Sequence, residues 1–183
     1  MFTIKKYSES YQKQYCDLYI ATWQIEPYGE RFAPEEIVAH LIKNRDYLYL
    51  LIEEEANQVK GFVGGRPLLY ECQFFINETG IDMSKAFYID ELGVDKEHKK
   101  RGWGETLMHY IISCARENNL NQFVLRTHSS ESNPAIKLYQ KLGFTTKVDK
   151  HGKVHGVETQ QQRIDNRPEK DFRYYFYKSY PSR

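Results

Sequence analysis

The feature that most constrains the fold is residues 86–115, where an apolar strand pattern passes through a glycine-containing turn into an amphipathic helix. The run from Ala86 to Val94 (AFYIDELGV) is typical of a central β-strand. At such a strand–turn–helix junction the first backbone N–H groups of the helix have no intrahelical partner, and with the helix dipole they form a site for an anion. The residues that predict a helix buried along one face are Leu107, Met108, Ile111, Ile112 and Ala115.

The loop at this junction suits a pyrophosphate group. Gly102 and Gly104 let a ligand approach the backbone without a Cβ in the way. The loop lacks the Gly-x-x-x-x-Gly-Lys-Ser/Thr pattern of nucleoside triphosphate sites, and Leu107 stands where a dinucleotide-binding Gly-x-Gly-x-x-Gly needs its third glycine. On these residues alone, a helix cap with solvated lysines remains an alternative. Three consecutive basic residues add positive charge at the same point: Lys99, Lys100 and Arg101.

The remaining hydrophobic patterns predict a mixed sheet with helices on its faces. Residues 149–170 are polar and turn-rich, which predicts an exposed excursion. With no internal repeat and no break in composition, we expect a single domain over residues 1–183 with an α/β or α+β architecture. Helices are predicted within residues 11–23, 34–42 and 134–142, and strands at residues 2–6, 47–52, 59–67, 122–127, 144–148 and 172–177.

Composition and charge argue against several classes of protein. No run of about 18 apolar residues is present, so we expect no transmembrane helix, and the first residues lack the apolar stretch of a secretory signal. The 3 cysteines have no paired spacing, which favours reduced thiols and a cytoplasmic location.

The net charge of +1 conceals two oppositely charged halves. Residues 1–95 hold 9 Lys+Arg and 16 Asp+Glu, whereas residues 96–183 hold 17 and 9. The acidic half could attract a cationic substrate and the basic half a polyphosphate, although two solvated faces would give the same count. A net charge this close to neutral argues against a nucleic-acid partner.

A second segment, residues 132–144, strengthens the case for a ligand site. It opens a helix with a capping residue and closes it with Gly-Phe. Together the two segments resemble the GNAT superfamily of N-acetyltransferases at both of its principal motifs. The family's Gln/Arg-x-x-Gly-x-Gly/Ala is matched over residues 99–104, and its Asn-x-x-Ala-x-x-x-Tyr-x-x-x-Gly-Phe over residues 133–144. The resemblance is specific over residues 86–148 and topological before them.

The resemblance implies a mostly antiparallel sheet flanked by helices, in which the strands at residues 86–94 and 122–127 splay apart. It also implies acetyl-CoA as co-substrate, with pantetheine between the splayed strands. The backbone of Leu92 and Val94 then pairs with pantetheine, and the loop amides hold the pyrophosphate. Lys99 stands where the family usually has Gln or Arg, so only its backbone contact is expected. The residues assigned to the cofactor are Leu92, Gly93, Val94, Lys99, Lys100, Arg101, Gly102, Trp103, Gly104, Asn133 and Tyr139.

Amide formation from a thioester needs a neutral amine, a polarised carbonyl and a protonated thiolate. By the resemblance, the Leu92 N–H polarises the carbonyl in the manner of an oxyanion hole, and Tyr139 gives the thiolate its proton. Packing in the core is the alternative role for Tyr139. The general base is open between Glu91, Asp90 and a water chain, because strand alternation points the two acids to opposite faces unless a bulge intervenes. We favour Glu91, since many family members carry an acid just before this Leu-x-Val.

The acceptor is expected to bind near residues 22–32, since the family's first two helices and their connecting loop wall the acceptor site. This stretch is rich in aromatic and acidic residues, which suits a cationic amine through cation–π and ionic contacts. A polyamine, an aminoglycoside, an amino acid and a peptide amine would all fit, and we expect a small cationic molecule ahead of a protein. Ordinary packing and solvated faces are the alternative. A non-catalytic acyl-CoA-binding module and a protein or peptide N-acetyltransferase also remain open. The candidate acceptor residues are Trp23, Glu26, Tyr28 and Glu30.

No metal is expected, because His151 and His155 have helical spacing but no third ligand. We expect no membrane partner. A homodimer stays open, since dimers are common among similar proteins.

Overall fold

The computed structural model describes residues 1–25, 28–68, 81–148, 152–162 and 168–181. These residues form one seven-stranded sheet with the strand order β1-β2-β3-β4-β5-β7-β6. Every neighbouring pair is antiparallel except β4 and β5, which are parallel. The strands are β1 (Phe2–Lys6), β2 (Tyr49–Glu53), β3 (Gln58–Pro67), β4 (Ala86–Val94), β5 (Gln122–His128), β6 (Gly156–Gln162) and β7 (Pro168–Ser179). The helices are α1 (Gln12–Trp23), α2 (Pro34–Asn44), α3 (Trp103–Glu117) and α4 (Pro134–Lys141). The expected mixed, mostly antiparallel sheet flanked by helices is confirmed.

The helices cover both faces of the sheet. On one face, α1 and α2 pack on β2 and β3 through a core that includes Tyr15, Ile37, Leu41, Leu50 and Phe62. On the other face, α3 and α4 pack on β2 to β5 through a core that includes Leu51, Phe87, Ile111, Leu125 and Tyr139. Burying side chains of this size stabilises the fold by about 1.5–3 kcal/mol each, so these two layers hold the central strands in place. Among the described helices, none combines the length and apolarity needed to cross a bilayer.

The sequence prediction is wrong at the far edge of the sheet. Residues 144–148 do not form a strand and make only isolated bridges, such as Thr145 to Tyr177. The edge strand is instead β6, which lies inside the segment expected to be an excursion and pairs with β7 from Pro168 onwards. An edge strand of this kind is solvated on one side and carries polar residues, so its sequence lacks the apolar alternation that marks a central strand.

Two irregularities of β4 shape the region where we look for the functional site: its pairing with β5 ends early, and it carries a bulge. The pairing between β4 and β5 stops at Ile89 and Leu125, although β4 continues to Val94 and β5 to His128. On its other side, β4 shifts register against β3, because Gly64 pairs with Glu91 while the next residue, Gly65, pairs with Ile89. Asp90 is therefore an extra residue, and β4 carries a bulge at this point.

Candidate active site

The separation of β4 and β5 leaves one edge of β4 without a partner strand. Asp95 donates its backbone N–H to the Lys60 carbonyl at 2.9 Å, so residues of this parity face β3. Because the polar groups of successive strand residues alternate between the two edges, Leu92 and Val94 face the opening toward β5. Their N–H and C=O groups can pair with an extended molecule as they would with another strand. The expected splay between these strands is present.

The loop that follows β4 forms an anion cradle. Lys100 and Gly102 have positive φ angles of 61° and 85°, and Gly102 is the N-cap of α3. Alternation of left-handed and ordinary conformations turns successive N–H groups toward one point, and the first turn of α3 adds its own unpaired N–H groups there. A Cβ on Gly102 would meet no atom within 4 Å, so the space above the cradle is open.

Packing and partial burial affect two side chains of this loop. Trp103 packs against Phe2 of β1, with ring centroids 4.8 Å apart, which ties the start of α3 to the β1 edge of the sheet. Burial lowers the pKa of Lys99, against the raising effect of Asp95. Trp103 thus anchors the cradle as well as lining the space beside it.

A groove of about 390 Å³ connects the open β4 edge with the cradle. Of the eleven residues assigned to the cofactor by sequence, it brings together all except Arg101, which does not line it, and Tyr139, which lies deeper. Gly93 lines the groove with its backbone. A side chain could not be accommodated at this position, because a Cβ would lie 2.4 Å from the Phe62 ring. The groove is lined by Thr22, Trp23, Ile25, Tyr28, Leu92, Gly93, Val94, His98, Lys99, Lys100, Gly102, Trp103, Gly104, Glu105, Asn133, Pro134, Ala135, Leu138 and Lys141.

Asn133 is buried, and its side chain is fully engaged within the protein. Its Oδ1 accepts from the Ala135 N–H at 3.0 Å, which caps α4. Its Nδ2 donates to Thr127 Oγ1 at 2.8 Å and to the His128 carbonyl at 2.9 Å. Asn133 therefore fixes the start of α4 against the end of β5. It positions the wall of the groove but offers no free polar group to a ligand.

A second, smaller space lies behind the groove; we call it the inner cavity. It has a volume of about 140 Å³, and it shares Trp23, Tyr28, Leu92 and Ala135 with the groove. Tyr139 lines the inner cavity, and among the described residues no group forms a hydrogen bond with its hydroxyl. Burial raises the pKa of Tyr139 well above its ordinary value, so the phenol stays protonated. The shared residues mark the point where molecules from the two spaces can meet.

The bulge in β4 brings Asp90 and Glu91 to the same face, where both carboxylates approach His40 of α2. The His40 Nδ1 lies 3.2 Å from Glu91 Oε1 and 3.9 Å from Asp90 Oδ2. Asp90 is also held by the Arg66 guanidinium and by Asn44 Nδ2 at 3.2 Å. Burial favours the neutral acid, but His40 and Arg66 outweigh it and hold the pKa of Asp90 well below its usual range.

Glu91 is in a different electrostatic position. Its Oε2 accepts from the buried Tyr15 hydroxyl at 2.6 Å, while Oε1 receives no well-directed hydrogen bond from any described residue. Burial raises the pKa of Glu91, and the nearby Asp90 adds to the rise against the lowering effect of His40. The nearby Asp90 and Glu91 carboxylates raise the pKa of His40 to about 9, against the lowering effect of burial. Of the two acids, Glu91 is the better proton acceptor near neutral pH.

The same three residues offer one ligand atom each within 4.8 Å of one another, a spacing that suits a metal ion. Two contacts argue against that use. The Arg66 guanidinium occupies the Asp90 oxygen that also faces His40, and Tyr15 occupies one oxygen of Glu91. A metal ion would have to displace a cation that already neutralises this carboxylate.

The acceptor residues expected from sequence are only partly free to bind an amine. Trp23 and Tyr28 line both spaces, with ring centroids 4.7 Å apart. Glu30 is buried in an ion pair with Arg173, whose Nε also donates to Asp171 Oδ2 at 3.0 Å. Glu26 lies outside the described residues.

Three functional candidates were missed by the sequence prediction: His40, Arg126 and Arg173, all of which line the inner cavity. For His40 a signal existed, because residues 37, 40, 41 and 44 follow the helical spacing of the buried face of α2. For Arg126 and Arg173 the sequence carried no such signal. The face of the sheet on which a charged strand residue lies, and what it meets there, depends on the neighbouring strands.

Comparisons with known proteins agree on the fold. The sequence model of the acetyltransferase (GNAT) family matches residues 8–144. No curated protein sequence matches the chain. Among solved structures, Ard1 from Thermoplasma volcanium is similar with a TM-score of 0.68 and 18% identity, covering 99% of each chain.

Two further structures show the same likeness. The ribosomal-protein-S18-alanine N-acetyltransferase from Escherichia coli has a TM-score of 0.66 and 13% identity, covering 98% of this chain and 94% of that one. A chain of the NatC complex bound to Gag peptide and CoA has a TM-score of 0.67 and 12% identity, covering 98% of this chain and 99% of that one. At these identities the likeness concerns the fold alone.

Proposed function

The chain belongs to the acetyltransferase (GNAT) family, and from that premise we propose that it transfers the acetyl group of acetyl-CoA to a primary amine. The observation that carries the proposal is the open edge of β4 running into the anion cradle at the start of α3. An extended arm ending in a pyrophosphate matches this arrangement. Either feature alone would be compatible with other ligands.

We assign the pyrophosphate to the backbone N–H groups of residues 100–104, where positive φ angles and the N-terminus of α3 direct donors to one point. The pantetheine arm pairs with the backbone of Leu92 and Val94. Lys99 and Lys100 add positive charge along the groove. Asn133 acts indirectly, by holding α4 in place.

Acetyl-CoA supplies an activated acyl carbonyl in the form of a thioester. The Leu92 N–H, on the open edge and shared by both spaces, donates to the acyl oxygen as it gains negative charge. The Tyr139 hydroxyl donates a hydrogen bond toward the leaving sulfur. Since its pKa is raised, this phenol stays protonated throughout the working pH range.

We propose Glu91 as the group that takes the proton from the amine. Its raised pKa, its Oε1 without a directed hydrogen bond and its place on the inner cavity support this role. Asp90 is the weaker candidate, because Arg66 and His40 stabilise its ionised form. His40 then holds a proton on Nδ1 and orients the Glu91 carboxylate.

Other readings of the same groove predict different behaviour. A non-catalytic acyl-CoA-binding module would bind the nucleotide without turnover. A protein N-acetyltransferase would require a peptide, and two of the similar structures carry protein or peptide acceptors in their names. We favour a small acceptor because the inner cavity measures only about 140 Å³. We also propose the cytoplasm as the compartment, which suits the free thiols of Cys16 and Cys114.

The test combines calorimetric titration with CoA and an acceptor screen that follows thiol release from acetyl-CoA. We expect CoA binding and turnover with small amines. Binding without turnover on any amine or peptide would select the non-catalytic module, and turnover on peptides alone would select protein modification. A protein that binds neither CoA nor acetyl-CoA would refute the proposal.

A further inference from the structure

The charged groups around the inner cavity neutralise one another, with one exception. Asp90 is paired with Arg66, Glu91 faces His40, and Glu30 is paired with Arg173. Glu30, one of the two acids that were expected to attract a cationic acceptor, is therefore already paired.

Arg126 is the exception. It lines the inner cavity, and no carboxylate of the described residues lies within ion-pair distance of its guanidinium. Burial alone would lower the pKa of Arg126, but the hydroxyls of Tyr88 and Tyr175 and the charge of Asp90 raise it, so the group is charged at every physiological pH. A half-buried guanidinium that faces a cavity without a carboxylate partner is suited to bind an anion from outside.

The position of Arg126 on the sheet determines where a molecule bound to it would lie. Leu125 is the last residue of β5 that pairs with β4, so Arg126 is the first residue beyond the point where the strands separate. Leu92 lines the same cavity from β4. A molecule anchored at Arg126 therefore spans the opening from β5 toward the β4 edge, where we place the thioester.

We propose that Arg126 binds an anionic oxygen group of the acceptor, and that the acceptor is a small amine carrying a carboxylate, in the manner of an amino acid. This inference rests on the proposed function and adds the substrate class. It differs from the expectation of a cationic acceptor, because here the anionic group supplies the binding contact, while the ammonium group has to lose its proton to react.

The size and walls of the cavity agree with such a molecule. A cavity of about 150 Å³ holds a ligand as large as benzene, so a space of about 140 Å³ suits an acceptor of similar size. Four aromatic side chains also line the cavity: Tyr19, Trp23, Tyr28 and Phe32. We therefore expect an apolar side chain on the acceptor.

The experiment compares α-amino acids with their carboxamides, using thiol release from acetyl-CoA. For wild-type protein, we expect kcat/KM to be roughly tenfold or more higher for the anionic member of a pair. Arg126→Gln should lower kcat/KM for the acids by roughly 30-fold or more and leave the amides within about threefold. Arg126→Lys should recover part of the loss, because it keeps the charge but not the two-pronged geometry.

Arg116→Gln is the matched control, because Arg116 lies over the Tyr180 ring, 4.4 Å from its centroid, and lines neither space. Melting temperature and CoA affinity, measured for every variant, separate a folding defect from loss of the contact. Equal activity on acids and amides, or an equal fall for both in Arg126→Gln, overturns the inference while the proposed function stands. Turnover restricted to peptides overturns it as well. No transfer to any amine refutes the proposed function itself.

Discussion

Replacing Asn133 with alanine should destabilise the protein strongly and weaken CoA binding only as a consequence. Alanine removes the cap of α4, which costs about 1 kcal/mol. It also removes the Nδ2 donor, so the buried Thr127 Oγ1 loses a partner at 2.8 Å and the part-buried His128 carbonyl loses one at 2.9 Å. An unsatisfied buried group costs about 1–3 kcal/mol. The expected loss of unfolding free energy is therefore about 2–4 kcal/mol.

Two further variants divide this loss. Asn133→Asp keeps the Oδ1 acceptor that caps α4 but replaces the amide donor, so it should lose the contacts to β5 and retain the cap. Asn118→Ala is the control, because Asn118 makes an exposed hydrogen bond to the Cys114 carbonyl at 3.0 Å. Its effect should stay within about 0.5 kcal/mol.

Urea denaturation and thermal unfolding measure these differences. For a chain of this length, 1 kcal/mol corresponds to about 2–4 °C, so Asn133→Ala should lower the melting temperature by roughly 10 °C. The reasoning would be refuted by a variant that melts within about 2 °C of wild type and yet loses CoA affinity tenfold. Asn133 would then contact the ligand directly.

Three further predictions follow from the site. Tyr139→Phe should lower kcat more than CoA affinity. The melting temperature should stay nearly unchanged, because no described group forms a hydrogen bond with the hydroxyl. An unchanged kcat in steady-state assays would remove this hydroxyl from the mechanism. Gly102→Val should lower the free energy of unfolding by at least about 1–2 kcal/mol, because the backbone φ of 85° disfavours a side chain even though a Cβ there meets no atom. It should also weaken CoA binding in calorimetry, and an unchanged affinity would place the pyrophosphate elsewhere. His40 has a folded-state pKa of about 9, above its unfolded value, so its contribution to stability is complete below about pH 6.5 and is lost as the pH rises toward 9. Urea denaturation should therefore show a stability difference between wild type and His40→Gln that shrinks over that interval, and a difference independent of pH would contradict the assigned ion pair.

The central part of the fold was predictable because its signals are local. The β4 strand, the glycine loop and the α3 helix each follow from a periodic pattern or from glycine position, and the cap at Asn133 follows from the residue types around Pro134. The edge strand β6 was missed because its polar sequence carries no apolar alternation. Its pairing depends on β7, which the sequence does not specify locally.

The acid–base group was less predictable, since it depends on how strands and helices meet. The bulge at Asp90 arises from a shift between Gly64 and Gly65 on β3, and only this shift places Asp90 beside Glu91 on one face. The neutralisation of Glu30 by Arg173 joins residues separated by 143 positions. The acidic residues near the acceptor loop predicted attraction to a cation, but for Glu30 the fold supplies that cation from within the protein.

The short pairing of β4 with β5 also has a mechanical consequence. The four strands on one side and the three on the other share a seam of only four residue pairs, from Ala86 with Gln122 to Ile89 with Leu125. A ligand bound beyond these four pairs would bridge the two parts of the sheet. It would also protect the backbone amides of β4 that otherwise exchange their hydrogens with solvent. Deuterium uptake at Leu92 and Val94 should therefore be rapid in the empty protein and slow once the nucleotide is bound.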